Sequence, residues 1–305
     1  MKKVLITGAN GLLGQKLVSL LSNKQNCQLL ATAKGEARFF IPENVIYQSL
    51  DITDAQACVS VVNTFSPDAI INAGAMTNVD ACEDQREICD LINIEGTRNI
   101  IQAIGNRQTH LVHISTDFIY EGDEDEYFEN SKANPLSYYG ASKWKSELLF
   151  ENVSFPYSIL RTVLVYGVLE DLSRSNIVLW AKGALEKNQE INVVDDQYRC
   201  PTLAEDLALA CWQVVDQKAQ GVFHVSGKEF LSILDLVYKI ADFWSLDRNL
   251  IKSIKTSSLN QAAKRPVKTK LNITKAIKQF NYQPKSLHEG LTLVAQQLQN
   301  LKPLI

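Results

Sequence analysis

The sequence predicts an α/β fold, a doubly wound parallel sheet joined to a smaller, discontinuous α/β domain. Three observations predict it. Short apolar runs alternate with stretches of helical periodicity from Val4 to Leu160, the pattern of strands buried on both faces by helices. The first run leads at once into Gly8-Ala9-Asn10-Gly11-Leu12-Leu13-Gly14 and then a helical pattern. Beyond Gly167 the alternation gives way to shorter, mixed elements.

Val4-Leu5-Ile6 reads as the first buried strand, and Leu13, Leu17, Leu20 and Leu21 share one face of the helix that follows. Strand, glycine-rich turn and helix make a Rossmann-type dinucleotide site. Glycine allows the tight turn and a close backbone approach, while the helix N-terminus offers free N–H groups to a pyrophosphate. The spacing is G-x-x-G-x-x-G, and its place after the first strand makes Gly8, Gly11 and Gly14, with Asn10, Leu12 and Leu13, the candidate phosphate turn.

A second strand runs from Gln28 to Ala33. An acidic residue near its end would take the ribose 2′-hydroxyl of NAD. Lys34 and Arg38 follow instead, which favours NADP(H) and leaves NAD(H) open; solvated loop charges are the competing account. Val45 to Leu50 is a third strand ending at Asp51-Ile52, placed to flank an adenine, and Thr53 or Asp54 caps the next helix. Ala69 to Ala75 is a fourth strand closing in Ala73, Gly74 and Ala75, small enough for a cofactor to approach. A helix from Glu87 to Ile104 carries Asn93. Leu111 to Ile114 is the fifth strand, with Ser115, Thr116 and Asp117 at its carboxyl end, where open parallel sheets bind ligands. Glu121 to Pro135 is aperiodic and reads as a loop over the site.

In Ser137-Tyr138-Tyr139-Gly140-Ala141-Ser142-Lys143, Tyr139 and Lys143 lie one helical turn apart on one face. A free tyrosine has a pKa near ~10. A neighbouring ammonium favours phenolate, so Lys143 is expected to lower the value for Tyr139. Taken alone, the pair is equally a cation-capped aromatic at a helix start. Tyr157 to Leu160 is a sixth strand leading to Arg161 and Gly167. After it come a helix from about Asn176 to Glu186, a strand at Ile191 to Val194, a turn from Asp195 to Thr202 containing Arg199, a helix near Ala204 and a strand at Phe223 to Val225. Mixed helix follows, with Lys264-Arg265-Pro266 as a charged kink between helices. The expected division is 1–166 plus about 204–226 for the dinucleotide domain and about 167–203 plus 227–305 for the second.

The 305 residues carry a net charge of −3, and the pI is near 5.9, so there is no electrostatic footprint for nucleic acid or an anionic membrane. Six cysteines, at 27, 58, 82, 89, 200 and 211, form no metal-binding spacing and read as buried small hydrophobes in a reducing compartment. His110 and His113, three apart on a strand, face opposite sides, and no metal is expected. With no signal-peptide pattern and no long apolar run, a cytoplasmic protein is expected.

Taken in order, GANGLLG, Asp51-Ile52, INAGAMTNVDACE, STDFIYEG, YYGASK, RTVLVYG, DDQYRCPT and RPVKTKL resemble the dTDP-4-dehydrorhamnose reductase family of extended short-chain dehydrogenases/reductases, over nearly the whole chain. The resemblance implies an NAD(P)-binding Rossmann domain and a smaller domain holding a nucleotide sugar, with NADPH-dependent reduction of the sugar's C4 ketone. It implies Tyr139 as general acid, Lys143 as its ribose-binding partner and Thr116 as the hydroxyl on the substrate carbonyl. Gly8, Asn10, Gly11, Leu12, Leu13, Gly14, Lys34, Asp51, Ile52, Ala73, Gly74, Ala75, Asn93 and Ser115 would join Tyr139 and Lys143 around the cofactor. Thr77, Val79, Asp117, Phe118, Leu164 and Arg199 would face the substrate, Arg199 either pairing with its pyrophosphate or forming an exposed salt bridge. Two positions depart from the family: Phe118 stands where Tyr is typical and Leu164 where Trp is. Another extended reductase, or an epimerase or dehydratase, acting on a different nucleotide sugar is the first alternative the resemblance leaves open; RTVLVYG and QYRCPT also resemble the non-catalytic regulatory subunit of methionine adenosyltransferase, a dinucleotide-binding relative. A homodimer is compatible with the resemblance.

Overall fold

A computed structural model describes residues 1–172 and 175–301. The chain runs β1 (Lys2–Thr7), α1 (Leu12–Ser22), β2 (Cys27–Ala33), β3 (Val45–Ser49), α2 (Ala55–Phe65), β4 (Ala69–Asn72), α3 (Val79–Asp84), α4 (Arg86–Asp90), α5 (Gly96–Ile104) and β5 (His110–Thr116). It continues through α6 (Tyr138–Leu148), β6 (Tyr157–Thr162), β7 (Val165–Tyr166), α7 (Ile177–Glu186), β8 (Ile191–Val194), β9 (Tyr198–Arg199), β10 (Thr202–Leu203), α8 (Ala204–Asp216) and β11 (Gly221–His224). β12 (Leu231–Ser232), α9 (Ile233–Phe243), β13 (Ile251–Ile254), α10 (Thr274–Phe280) and α11 (Leu287–Asn300) complete it.

Seven parallel strands form the main sheet in the order β11-β6-β5-β4-β1-β2-β3. The order reverses between β1 and β4, and ligands bind at such a switch point beyond the strand carboxyl ends. Alternation along β1 builds both cores. Val4 and Ile6 pack with Leu17 and Leu21 of α1 and with Cys211 and Val214 of α8. Leu5, on the opposite face, packs with Val61 and Val62 of α2 and Ile100 and Ile104 of α5. This two-residue period pins the register, because a slip of one would turn every apolar side chain to the wrong layer. A third cluster, including Val178, Ile191, Leu236 and Leu291, fills the lobe beside the sheet. α10 packs on the first cluster through Ala276 and Phe280.

Helix starts follow from their caps. Asp54 accepts from the Ala57 amide to begin α2, and Ser137 accepts from the Gly140 amide to begin α6. Four sequence expectations are corrected. The fourth strand ends at Asn72, not Ala75, because the Met76 amide is captured by Asn93 (2.8 Å) and the chain turns away from the ladder. The single helix expected from Glu87 to Ile104 contains a π-helical turn, Leu91–Glu95, which carries Asn93. The remainder after Phe223 is not all helical, since β13 pairs with β8. Finally, Lys264-Arg265-Pro266 is no kink between helices. It belongs to an irregular strap running to α10, in which Lys268 and Leu271 bridge to Tyr198 and Tyr127. Among the described residues no helix is long and apolar enough to cross a membrane.

Candidate active site

The turn between β1 and α1 is shaped for close backbone approach. Gly8 has φ +72°, and a Cβ on it would lie 2.6 Å from the Gly74 amide nitrogen; one on Gly14 would overlap the Gly8 carbonyl at 2.2 Å. Glycine is the residue that tolerates both the φ and the crowding. Gly11 caps α1 without any side-chain hydrogen bond, and the first turn holds no acid. The opening amides, with Leu12 and Leu13 half-buried beside them, are thus left for an anion, as a dinucleotide pyrophosphate requires. Asn10 braces the neighbouring loop, donating to the Glu36 carbonyl and accepting from the Arg38 amide, both at 2.8 Å.

Lys34 is exposed and pairs with Asp51 at 2.8 Å. Burial works against ionised Asp51, but the Lys34 and Thr53 hydrogen bonds hold its carboxyl below the usual range. Ile52 packs under Gly74 and Gly96, so a Cβ on Gly96 would meet its side chain at 2.8 Å. Ala73, Gly74 and Ala75 are half-buried at the end of β4, Thr77 is exposed and Val79 is half-buried. Asn93 does not point outward. Its amide joins the Met76 carbonyl (3.1 Å) to Ser142 on α6 (2.9 Å), tying the β4 loop to the Tyr139 helix.

Thr116 ends β5, its hydroxyl donating to Asp117 Oδ1 at 3.2 Å and accepting from the Phe118 amide. Tyr139 is half-buried on α6 with its phenol hydrogen-bonded to Thr116. The expected effect of Lys143 on this phenol is not what the structure shows. Burial pushes Tyr139 up from its ordinary value, against the Thr116 hydrogen bond, and the Asp117 charge adds to the rise. Lys143 instead lies with Nζ 3.2 Å from Nε2 of His113, and burial brings its ammonium down to about 8. The phenol therefore keeps its proton at neutral pH, as a proton donor must.

Two further expectations are revised. Ser115 is buried and donates to Glu147, so its hydroxyl is committed away from the cleft. Glu147 in turn holds Arg161 in a buried pair at 2.7 Å. Arg199 is neither an exposed salt bridge nor an open pyrophosphate ligand. It is buried, lies 3.5 Å from Asp117 and donates to the carbonyls of Tyr198, Val267 and Pro266. Buried guanidinium groups need such saturation. Asp117, raised by burial despite Arg199, also takes a 2.5 Å bond from Thr269. Phe118 packs edge-on against Tyr139, centroids 5.8 Å apart, and Leu164 is half-buried with φ +39°.

The aperiodic segment 121–135 is held against the strap: Tyr127 exchanges backbone bonds with Lys270 and Asn272, and Lys268 and Lys270 pair with Asp125 and Glu126. His113, Glu147 and Arg161 are the polar residues around the site that sequence reasoning missed. Glu147 alone left a local sign, lying one turn beyond Lys143 on the same face.

The RmlD substrate binding domain family matches residues 1–300. Among curated proteins, the chain is 29% identical to dTDP-4-dehydrorhamnose reductase of Aggregatibacter actinomycetemcomitans, over 95% of this chain and 97% of the other. It is 27% identical to methionine adenosyltransferase 2 subunit beta of Xenopus tropicalis, over 90% and 81%. Among solved structures, dTDP-4-dehydrorhamnose reductase from Bacillus anthracis, in complex with NADP, aligns with TM-score 0.83 at 30% identity, covering 97% of this chain and 100% of the other.

Proposed function

The chain belongs to the RmlD substrate binding domain family, and from that membership and the site we propose that it is an NADPH-dependent reductase of a nucleotide-linked 4-keto-deoxysugar, with dTDP-4-dehydrorhamnose as the favoured substrate. The observation that carries the reading is the hydrogen bond between Tyr139 of α6 and Thr116 at the carboxyl end of β5, with Lys143 one turn along α6, in a sheet whose first turn excludes any side chain at Gly8 and Gly14. The residues fit a nicotinamide dinucleotide. Gly8, Gly11 and Gly14 with the first turn of α1 would hold the pyrophosphate, Asp51 and Ile52 the adenosine, and Lys143 the second ribose. Bound NADPH would supply the reducing equivalents for the ketone.

The chain's own residues supply the rest. Tyr139, kept protonated by burial, donates to the carbonyl oxygen as it becomes an alkoxide. Thr116 turns its hydroxyl from Asp117 to the same oxygen. That oxygen grows far more basic during reduction, so both donors bind the transition state more strongly than the ketone. Asn93 keeps the β4 loop and α6 in fixed relation through Met76 and Ser142.

The likeness to methionine adenosyltransferase 2 subunit beta supports a second reading, a dinucleotide-binding regulatory subunit. Incubation with NADPH and a panel of nucleotide 4-keto-sugars, followed at the nicotinamide absorbance, separates the two. Stoichiometric oxidation with dTDP-4-dehydrorhamnose is expected. Tight NADPH binding without turnover on any member would favour the regulatory reading.

A further inference from the structure

His113 is fully buried on β5, directly behind the amine of Lys143, and nothing in the proposed chemistry uses it. The hydrogen positions around it follow from the neighbouring hydroxyls. Thr97 donates to the Asn93 carbonyl at 2.8 Å, so toward Asn72 at 3.4 Å it can only accept. The Asn72 side chain must therefore turn its NH2 group that way, leaving Oδ1 for the Thr7 hydroxyl at 2.7 Å. The same NH2 lies 3.3 Å from His113 Nδ1, which must then be the bare, accepting nitrogen. On the other edge, Ser146 donates to the Lys143 carbonyl at 2.7 Å, so its oxygen accepts from His113 Nε2 at 3.0 Å. The ring is thus neutral, with its proton on Nε2, and that N–H also faces Lys143 Nζ at 3.2 Å.

An N–H cannot accept from an ammonium. Among the described residues, the one hydrogen bond this geometry offers the Lys143 amine runs from His113 to its neutral form. We propose that His113 is a positioning residue that favours the neutral amine of Lys143 before the dinucleotide arrives, so that in alkaline solution dinucleotide binding takes up one proton at Lys143. The inference rests on the dinucleotide reading of the glycine turn, and not on which sugar is reduced.

The charged and titratable groups around Lys143 agree. Burial brings it to about 8 against the opposing pulls of Glu147 on its own helix and Cys89 on α4. Glu147 is already engaged by Arg161. Burial, and then the Lys143 charge, holds His113 well below its ordinary range. Ribose hydroxyls would give the ammonium the acceptors it lacks and raise its pKa on binding. A group raised on binding favours the complex fully below its free value. Affinity is then lost as pH climbs through that value toward the bound one.

The test is NADPH affinity of the whole chain from pH 7 to 10, by nicotinamide fluorescence, with proton uptake read from calorimetry in buffers of different ionisation enthalpy. Binding is expected to be nearly flat below pH 8 and to weaken about ten-fold per pH unit above it. Uptake should approach one proton at pH 9. Lys143→Met should abolish the dependence, while Tyr139→Phe should keep it. His113→Phe removes the donor at similar volume and should move the inflection up by about one unit, leaving NADPH bound about five-fold tighter than in the parent at pH 9. A flat parent profile, or an unmoved inflection in His113→Phe, overturns the proposal while leaving the dinucleotide reading standing. No NADPH binding at any pH overturns both. Should His113→Phe fail to fold, long-range 1H–15N correlation on the parent reads the tautomer directly. A proton on Nε2 with bare Nδ1 is expected, and the opposite tautomer or an imidazolium refutes the assignment.

Discussion

Removing Arg161 is expected to unlatch the helix that carries Tyr139 and Lys143. The guanidinium on β6 makes three contacts with Glu147 of α6, at 3.1, 3.1 and 2.7 Å, and donates to Tyr120 Oη at 2.7 Å and the Glu129 carbonyl at 2.9 Å. The two charged side chains are only 5% and 3% exposed, so water cannot replace a lost partner. In Arg161→Met, Glu147 keeps, among the described residues, the Ser115 hydroxyl as its hydrogen-bond partner and the more distant charge of Lys143. The expected cost is about 3–5 kcal/mol, most of it the burial of an uncompensated carboxylate rather than the worth of the pair itself. That origin has a signature. In Arg161→Met with Glu147→Met neither charge remains, and the loss should shrink to about 1–3 kcal/mol from the Ser115 hydroxyl and the Glu129 carbonyl, which lose these partners, while the Tyr120 hydroxyl keeps His224 and the Phe128 carbonyl. Urea unfolding at pH 7 with unchanged m-values is the assay. A single variant costing under about 1 kcal/mol, or single costs that simply add in the double variant, would refute the reasoning.

Three other outcomes follow from the same geometry. Tyr139→Phe should lower turnover at least about a hundred-fold with NADPH affinity nearly unchanged; parent-like turnover would remove Tyr139 as the proton donor. NADPH should bind more tightly than NADH, and Lys34→Asp should narrow that preference; a parent that prefers NADH would show the cation at the end of β2 to serve only Asp51. Asp80 meets Arg265 of the strap at 2.6 Å, and that hydrogen bond holds its carboxyl below the usual range against an opposing burial effect. A lowered carboxyl stabilises the fold above its unfolded pKa and loses that effect as pH falls through its folded one. Asp80→Asn should therefore cost under about 1 kcal/mol at pH 7, the carboxylate being part-exposed, with the gap closing below about pH 4. A gap that widens in acid would count against the latch.

What was legible in the chain was local. The glycine turn, each single strand from β1 to β6 and the Tyr139–Lys143 spacing lie within a dozen residues. Directions of charge were not legible. Sequence reasoning placed an ammonium beside a phenol and expected a lowered pKa, but burial dominates at Tyr139, and burial is set by elements brought in from α3, α4 and β5. Arg199 failed in the same way. Its partners Asp117 and Pro266 lie far off along the chain, so nothing near it in sequence marks a buried cation. His113 was weighed only as a metal ligand, because the residues that fix its tautomer, Asn72, Thr97 and Ser146, come from three separate elements.

Phe118, one of the two positions that depart from the family, is coupled in space to Tyr139 and Arg199. Phe118 has no hydroxyl to offer a sugar, but its ring packs on Tyr139 at 5.8 Å and lies under the Arg199 guanidinium, also at 5.8 Å. Arg199 neutralises Asp117, which hydrogen-bonds Thr116. A phenol at 118 would need a partner for its oxygen where Arg199 already spends its donors on three backbone carbonyls. Phenylalanine therefore suits a floor whose polar capacity is used up, and the loss of one hydroxyl follows from the presence of the buried arginine. The consequence falls on substrate choice. Beside Tyr139 stands an apolar ring at 118 in place of a phenol. Discrimination here should then rest on fit to deoxygenated carbons more than on hydrogen bonds to hydroxyls. Apolar fit separates substrates by only about 1–3 kcal/mol per methylene, so under the proposed function kcat/KM over a panel of nucleotide 4-keto-deoxysugars is expected to vary by no more than about two orders of magnitude.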